Sequence, residues 1–276
     1  MRSLLRKHRR LLLTVIALIV FALYVLPIYW MIVSGFKSPT EIYAIPPTLW
    51  PRNASFLEFW EVLKSAIPYL KSSFIIAFFA TAVTLVLGAT GGYGLARLKT
   101  KWTRWILLCF LIAQMLPNIL RVTPLFVIFL KANLLNNYVS VILAIASFTV
   151  PFAVITLRTA FLALPTDLEE AALIDGSGRF RSFLYIVLPL VKPHLIIVST
   201  ISLIWSYGDF IFPLSFLRNR AMQPATVGLY NFIGAEVVHW NRVMAFATVT
   251  ALPLMIIFML FQRHIVQGLT VGGVDK

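Results

Sequence analysis

The sequence predicts an all-α protein that crosses a membrane six times, and three observations carry that expectation. Apolar residues make up 60% of the chain and charged residues only 12%, against about 45–50% and about 25% in soluble domains. The mean hydropathy is +0.88. The apolar residues also come in blocks, not in alternating or amphipathic stripes. Six of these blocks reach the roughly 20 residues that a helix rising ~1.5 Å per residue needs to cross ~30 Å of hydrocarbon.

The first block, about Leu11–Val33, follows a basic start of Arg2, Arg6, Lys7, Arg9 and Arg10. It is too long for the apolar core of a secretory signal, and no small-x-small cleavage site follows, so it is expected to remain as a span. A Pro-rich stretch comes next (Pro39, Pro46, Pro47, Pro51). Phe56, Phe59, Trp60 and Leu63 then recur at i, i+3, i+4 and i+7, the face of a short helix lying on the membrane or on a neighbour. The remaining spans are expected at about Phe74–Leu95, Trp105–Phe126, Tyr138–Phe161, Leu195–Leu217 and Val243–Phe261. Gly88 and Gly92 in the second form a GxxxG pair that lets helices approach closely. Trp30, Trp50, Trp60, Trp105 and Trp240 fall near span ends or in loops, where indole rings favour the headgroup level.

Six spans place both termini on one side. Lys and Arg in short loops accumulate on the cytoplasmic face, and here fifteen lie on the side of the termini against nine on the other. Both termini are therefore expected in the cytoplasm.

Several functions are disfavoured. The net charge of +14 sits in short clusters between apolar blocks, not along a face with interleaved aromatics, so no nucleic-acid partner is expected. Cys109 is the single cysteine, and His8, His194, His239 and His264 are scattered without ligand spacing, so neither an intrachain disulfide nor a metal site is expected. No GxxxxGK[ST] occurs, so nucleotide is not expected to bind through a P-loop here. No Ser/His/Asp set or carboxylate pair supports catalysis.

Asp209 is the one acid well inside a span. Such a group faces either a water-filled path or a structural hydrogen-bond partner. Gln114, Asn118, Ser206 and Tyr207 lie at comparable depth, and with Asp209 they are candidates for lining a path. Arg121 could instead snorkel to the interface.

The segment 164–193 between the fourth and fifth spans has two helices written into it. Thr166 and Glu169 read as a capping box after Pro165. The first helix passes through Glu170, Ala171 and Ala172 and stops near Gly176, which can take the left-handed turn. The second carries an apolar face of Phe180, Phe183, Leu184, Val187 and Leu188, with Arg179, Arg181 and Ser182 off it, until Pro189 breaks the pattern. By itself this is an amphipathic connector lying along a membrane surface.

Its spelling says more. Glu170-Ala171-Ala172-x-x-Asp175-Gly176, nine residues, then Ile186-x-Leu188-Pro189 resembles the EAA loop of ABC importer permeases, with every fixed position filled. Asp209-Phe210-x-x-Pro213-Leu214 resembles a stretch of the carbohydrate-type permeases, although Tyr207-Gly208 stands where Trp-Asn is usual. The carboxyl end, from Phe261-Gln262-Arg263 to Gly272-Gly273-Val274, is similar to that of the maltose-type second permease. The resemblance covers nearly the whole chain. It implies the MetI-like fold of type I ABC importer permeases in a bacterial or archaeal inner membrane. It implies that 1–68 forms a first span and extracytoplasmic loop, 69–264 the permease core, and 265–276 a cytoplasmic tail. Glu170, Ala171, Ala172, Asp175, Gly176, Ile186, Leu188 and Pro189 would form the elbow that couples to an ATPase. Two ATPase subunits would bind the ATP, leaving this chain without a cofactor, and a second permease and a sugar-binding protein would complete an importer of di- or oligosaccharides or of related polyols or glycerol phosphates. A permease for a non-sugar solute, a secondary carrier with internal repeats and paired charges, and a membrane scaffold are the alternatives.

Overall fold

A computed structural model describes residues 2–98, 100–233 and 238–271, with side chains described over 10–98, 100–233 and 238–262. Among the described residues every regular element is helical: α1 (Arg2–Gly35), α2 (Phe56–Arg97), α3 (Thr103–Met115), α4 (Asn118–Lys131), α5 (Tyr138–Leu162), α6 (Asp167–Ile174), α7 (Arg179–Ser182), α8 (Leu188–Leu190), α9 (Lys192–Gly208), α10 (Ile211–Phe216), α11 (Ala225–Ile233) and α12 (Trp240–Val271), with short 3₁₀ and π turns between them. Among the described residues four helices are long and apolar enough to cross a membrane, and up to six spans result when each of two bent pairs is counted as one.

The bent pairs revise two of the expected spans. α3 and α4 meet at 105°. At 13 and 14 residues, each would extend only about 20 Å, too short to cross alone. The cause is local: Leu116 precedes Pro117, the proline ring disfavours helical backbone at the residue before it, and Leu116 is extended at ψ 124°. The expected span Leu195–Leu217 is also not one helix. α9 ends at Gly208, Asp209 is extended (ψ 132°), and α10 begins at Ile211. The elbow rod Arg179–Leu190 instead joins α9 at a bend of 79°.

The short helix expected around Phe56–Leu63 is no separate element but the beginning of α2, a 42-residue helix that passes Pro68 unbroken. The four residues of the expected stripe are not equally covered within this chain. Phe56 and Trp60 are exposed, whereas Val62 and Ala66 are buried and Phe59 stacks on Phe36 at 4.3 Å. The expected tail 265–276 is helical as far as Val271; 272–276 lie outside the described residues.

The chain divides into two compact units, 1–67 with 229–252 and 68–228 with 253–276. In the first, Gly35 lies against α12, where an added Cβ would come within 2.9 Å of the Ala245 backbone. Asn241 donates to Glu58 at 2.5 Å, and Arg242 pairs with Glu61 at 3.0 Å. The loop 36–55 is tied by its own charges. Lys37 is 2% exposed, donates to the Thr48 carbonyl at 2.5 Å and stands 4.2 Å above the Trp30 ring. Glu41 accepts from the Thr48 hydroxyl and the Arg52 N–H, each at 2.8 Å. From Arg10 to Pro27, α1 is exposed on every face, so among the described residues that stretch has no packing partner.

The second unit is organised by α5. One apolar cluster joins α2, α4, α5 and α10 through Ile76, Phe129, Val141, Ile145, Phe212 and Phe216. Another joins α2, α5, the elbow and α9 through Ala89, Leu157, Phe161, Phe183, Val187 and Val198. The GxxxG pair behaves as its spacing predicts. A Cβ on Gly88 would sit 2.5 Å from that of Ala153, and one on Gly92 would sit 3.0 Å from the Arg158 nitrogen. Between these helices Thr84 and Thr149 share a buried hydroxyl hydrogen bond of 2.5 Å.

Candidate functional site

The elbow is built from the turn outward. α6 ends at Ile174, and Gly176 follows at φ +81°. The Ser177 N–H donates to the Ala172 carbonyl at 2.9 Å and the Gly176 N–H to that of Leu173 at 3.1 Å, the paired closure of a Schellman motif. A Cβ at Gly176 would meet nothing within 4 Å, so what this chain requires there is left-handed backbone, not space. The second arm starts at Arg179 and runs as one rod to Leu190 through a π-helical turn, Phe183–Val187. The π turn lies just ahead of Pro189, whose ring would press on the Tyr185 carbonyl in an ordinary helix.

The buried face also differs from the expected one. Phe183 and Val187 point into the core as expected, but Ser182 is 2% exposed and Phe180 71% exposed, the reverse of their expected places.

The expected capping box does not form. Thr166 offers no side-chain cap and instead accepts the Glu169 N–H through its backbone carbonyl at 2.9 Å. The Glu169 carboxylate reaches to α2. Tyr93 Oη donates to Oε2 at 2.5 Å, and Arg97 Nε pairs with Oε1 at 2.6 Å. Arg97 also donates to the Leu164 carbonyl at 3.3 Å. Both charged side chains are largely buried, 15% and 13% exposed. This latch ties the base of the elbow to the end of α2. Sequence reasoning missed it because Arg97 and Glu169 are 72 positions apart. The local signal was an acidic first turn on α6 (Asp167, Glu169, Glu170), more acid than the positive end of a short helix needs.

The other elbow residues divide by exposure. Glu170, Ala171, Asp175, Gly176 and Pro189 are exposed, Ile186 and Leu188 are half-buried, and Ala172 is buried. Beside them stand exposed apolar groups, Ile174 at 86%, Phe180 at 71% and Tyr185 at 74%. A cleft of about 320 Å³ runs between the end of α2 (Tyr93, Arg97) and the elbow (Glu170, Leu173, Arg179). The elbow is thus held at its base and bare at its turn, presenting carboxylates and apolar groups together.

Of the five candidate path residues, the structure brings two together. Asn118, Phe148, Trp205, Gly208 and Asp209 line a cavity of about 580 Å³. Asp209 Oδ1 accepts the Phe212 N–H at 3.0 Å, capping α10, and its carbonyl accepts from Thr226 at 2.8 Å. Gln114 is half-buried on α3, outside the lining. Ser206 is turned into its own helix, donating to the Ser202 carbonyl at 2.6 Å, and buried Tyr207 meets Phe74 edge-on at 5.7 Å. Arg121 does not snorkel. It donates to the Ala113 carbonyl, one of the acceptors freed where α3 ends, and lies 5.3 Å above the Phe148 ring.

Comparison with known proteins places this architecture. The solved structure of a bacterial ABC transporter involved in the import of the acidic polysaccharide alginate superposes with a TM-score of 0.80, at 18% identity, over 93% of this chain and 96% of that one. The diacetylchitobiose uptake system permease protein DasC of Streptomyces coelicolor is 31% identical over 264 residues, 94% of this chain and 95% of its own. The trehalose/maltose transport system permease protein MalG of Thermococcus litoralis is 31% identical over 270 residues, 96% of this chain and 96% of its own. The family model for the inner membrane component of binding-protein-dependent transport systems matches residues 88–271, from the GxxxG pair of α2 through the elbow to the end of α12. This chain belongs to that family of binding-protein-dependent transport system inner membrane components.

Proposed function

We propose that this chain is one of two permease subunits in an ATP-driven importer of saccharides. A second permease pairs with it, two ATPase subunits bind and hydrolyse the ATP, and an extracytoplasmic binding protein delivers the sugar. The chain itself holds no cofactor. Its termini lie in the cytoplasm, as the excess of Lys and Arg on their side favours. The saccharide class is supported by the relatives above, whose names refer to diacetylchitobiose and to trehalose and maltose.

The observation that carries the reading is the elbow: Glu170 and Asp175 stand exposed beside Gly176, while Glu169 anchors the same helix to α2. An exposed carboxylate can take a charge-assisted hydrogen bond from an arginine on a partner, and exposed Ile174 and Phe180 supply apolar area for the same contact. When ATP draws the two ATPase subunits together, Glu170, Ala171, Asp175 and Gly176 move with them. The inward side of the elbow, buried Ala172 with half-buried Ile186 and Leu188, carries the displacement into α5 and α9, and Pro189 ends the rod beside them. The path then opens toward the binding protein, and Asn118 and Asp209 lie along it.

The test is reconstitution. Purification of this chain should bring down an ATPase and a second permease. The complex in liposomes, with its binding protein, should take up saccharide only when ATP is supplied. A chain that moves saccharide alone and without ATP overturns the reading.

A further inference from the structure

Two helix breaks converge on one cavity. α3 gives way to α4 at Leu116–Pro117, and α9 gives way to α10 at Asp209–Phe210. Asn118 from the first break, Gly208 and Asp209 from the second, and Trp205 and Phe148 beside them line about 580 Å³. That volume is within the ~300–1,000 Å³ of small-ligand cavities. Irregular backbone at membrane depth is tolerated where it is buried in protein or lines a cavity.

We propose that this cavity is a saccharide subsite belonging to this chain, with Trp205 as its stacking platform and Asp209 and Asn118 as its hydroxyl partners. The proposal rests on the importer reading and deepens it by naming what the path holds and where.

The indole is held in place. Trp205 packs against Phe148 and Phe152, each at 5.0 Å between ring centroids and tilted by 44° and 62°, yet it remains 38% exposed. The C–H-lined face of a sugar ring suits the electron-rich face of an indole, an attraction set by the ring quadrupole. The polar partners are equally specific. Asp209 Oδ1 is occupied by the Phe212 N–H, while Oδ2 and the Asn118 amide make no hydrogen bond among the described residues. A carboxylate oxygen accepts, and an amide both donates and accepts, which matches neighbouring hydroxyls.

With one charge of each sign at or beside the cavity, its charge balance favours a neutral ligand. Among the described residues no lysine or arginine lines the cavity, and Asp209 repels phosphate and carboxylate groups. A cation would suit Asp209 and Trp205, but the Arg121 guanidinium already lies 5.3 Å above Phe148 and opposes a second positive charge. A neutral ring with one apolar face and free hydroxyls suits both the apolar walls and the two polar groups.

The complete complex, with binding protein and ATP, is irradiated with diazirine-bearing trehalose, diazirine-bearing diacetylchitobiose and diazirine-bearing spermidine, and labelled peptides are mapped. The expected result is disaccharide label on the peptides holding Asn118, Phe148 or Trp205. It should fall at least tenfold in Trp205→Leu and in Asp209→Asn, and remain at half or more in Trp205→Tyr, which restores a flat ring. Label confined to the second permease, unchanged label in Trp205→Leu, or labelling by spermidine alone overturns the proposal. Should Trp205→Leu fail to assemble, the contrast between Asp209→Asn and Trp205→Tyr decides it on the same terms. A complex that imports no saccharide sinks the importer reading, whereas one that imports saccharide without labelling this cavity sinks only the subsite.

Discussion

The loop 36–55 and the elbow 164–190 are both connectors between spans, and they use their charges in opposite ways. The loop turns two of its three charged side chains, Lys37 and Glu41, onto its own polar groups. Glu41 gathers the Thr48 hydroxyl and the Arg52 N–H, and Lys37 is buried against a carbonyl and an indole. The elbow commits one carboxylate, Glu169, to α2 and leaves Glu170 and Asp175 exposed. A connector that satisfies its own polar groups needs no partner to be stable. One fixed at its base and bare at its tip is built to be pushed.

If that contrast is correct, the largest effect should come from the latch. Removing one member of a largely buried ion pair leaves the other uncompensated, at a cost of about 3 kcal/mol. Glu169→Ala should therefore lower saccharide moved per ATP hydrolysed by at least tenfold, while the ATPase still co-purifies with the exposed turn. Arg97→Gln should behave alike, and the double variant should be no worse than either single one, because both remove the same pair. Additive losses, or loss of the ATPase along with coupling, would show that Glu169 serves partner binding rather than anchoring.

The turn comes next. Left-handed backbone costs a side chain with a Cβ roughly 1–2 kcal/mol, more when it is β-branched. Since a Cβ on Gly176 meets nothing within 4 Å, that conformational cost is the main intrachain penalty. Gly176→Val should cut uptake about tenfold and weaken ATPase capture, and Gly176→Asn, which tolerates the left-handed region, should keep at least half. Equal failure of Asn and Val would locate the glycine requirement in close approach by the partner. Full uptake in the Val variant would remove the coupling role altogether.

The same comparison shows what sequence can reveal. Spans were legible because hydrocarbon demands long apolar runs, and the turn at Gly176 because only certain residues accept φ +81°. The bend at Leu116–Pro117 had a local cause, yet its 105° could not be read from the residue before a proline, which only disfavours helical backbone there. Ser182 is buried and Phe180 exposed, the reverse of what a 3.6-residue period assigns, because the neighbours that pack on the rod decide which side is covered. The latch joins two helix ends far apart in the chain, so no periodicity could show it. Neither could periodicity settle rotation: of five polar residues at similar depth, only Asn118 and Asp209 reach the cavity. Which face of a buried helix is inward follows from its neighbours, and in lipid an apolar neighbour and an apolar solvent look the same.

The smallest effect belongs to the self-satisfied loop. The Arg52 N–H, helped by the Thr48 hydroxyl and the Asn53 N–H, holds the Glu41 carboxyl below the usual carboxylate range. A group whose pKa is depressed on folding contributes stability that is complete above its unfolded value, about 4.3 for Glu, and lost as pH falls through the folded value. The loop should therefore be indifferent to pH between 5 and 8 and loosen only in acid. Amide exchange protection at Arg52 should be flat above about pH 5 and decline below about pH 4. In Glu41→Gln it should start lower and show no acid step, since an amide cannot titrate, while ATP-driven uptake at neutral pH should be nearly unchanged. An acid step of equal size in Glu41→Gln would mean that another group closes the loop. A large loss of uptake in the same variant would break the distinction itself, because the loop would then be carrying work that its inward-turned charges give it no surface to do.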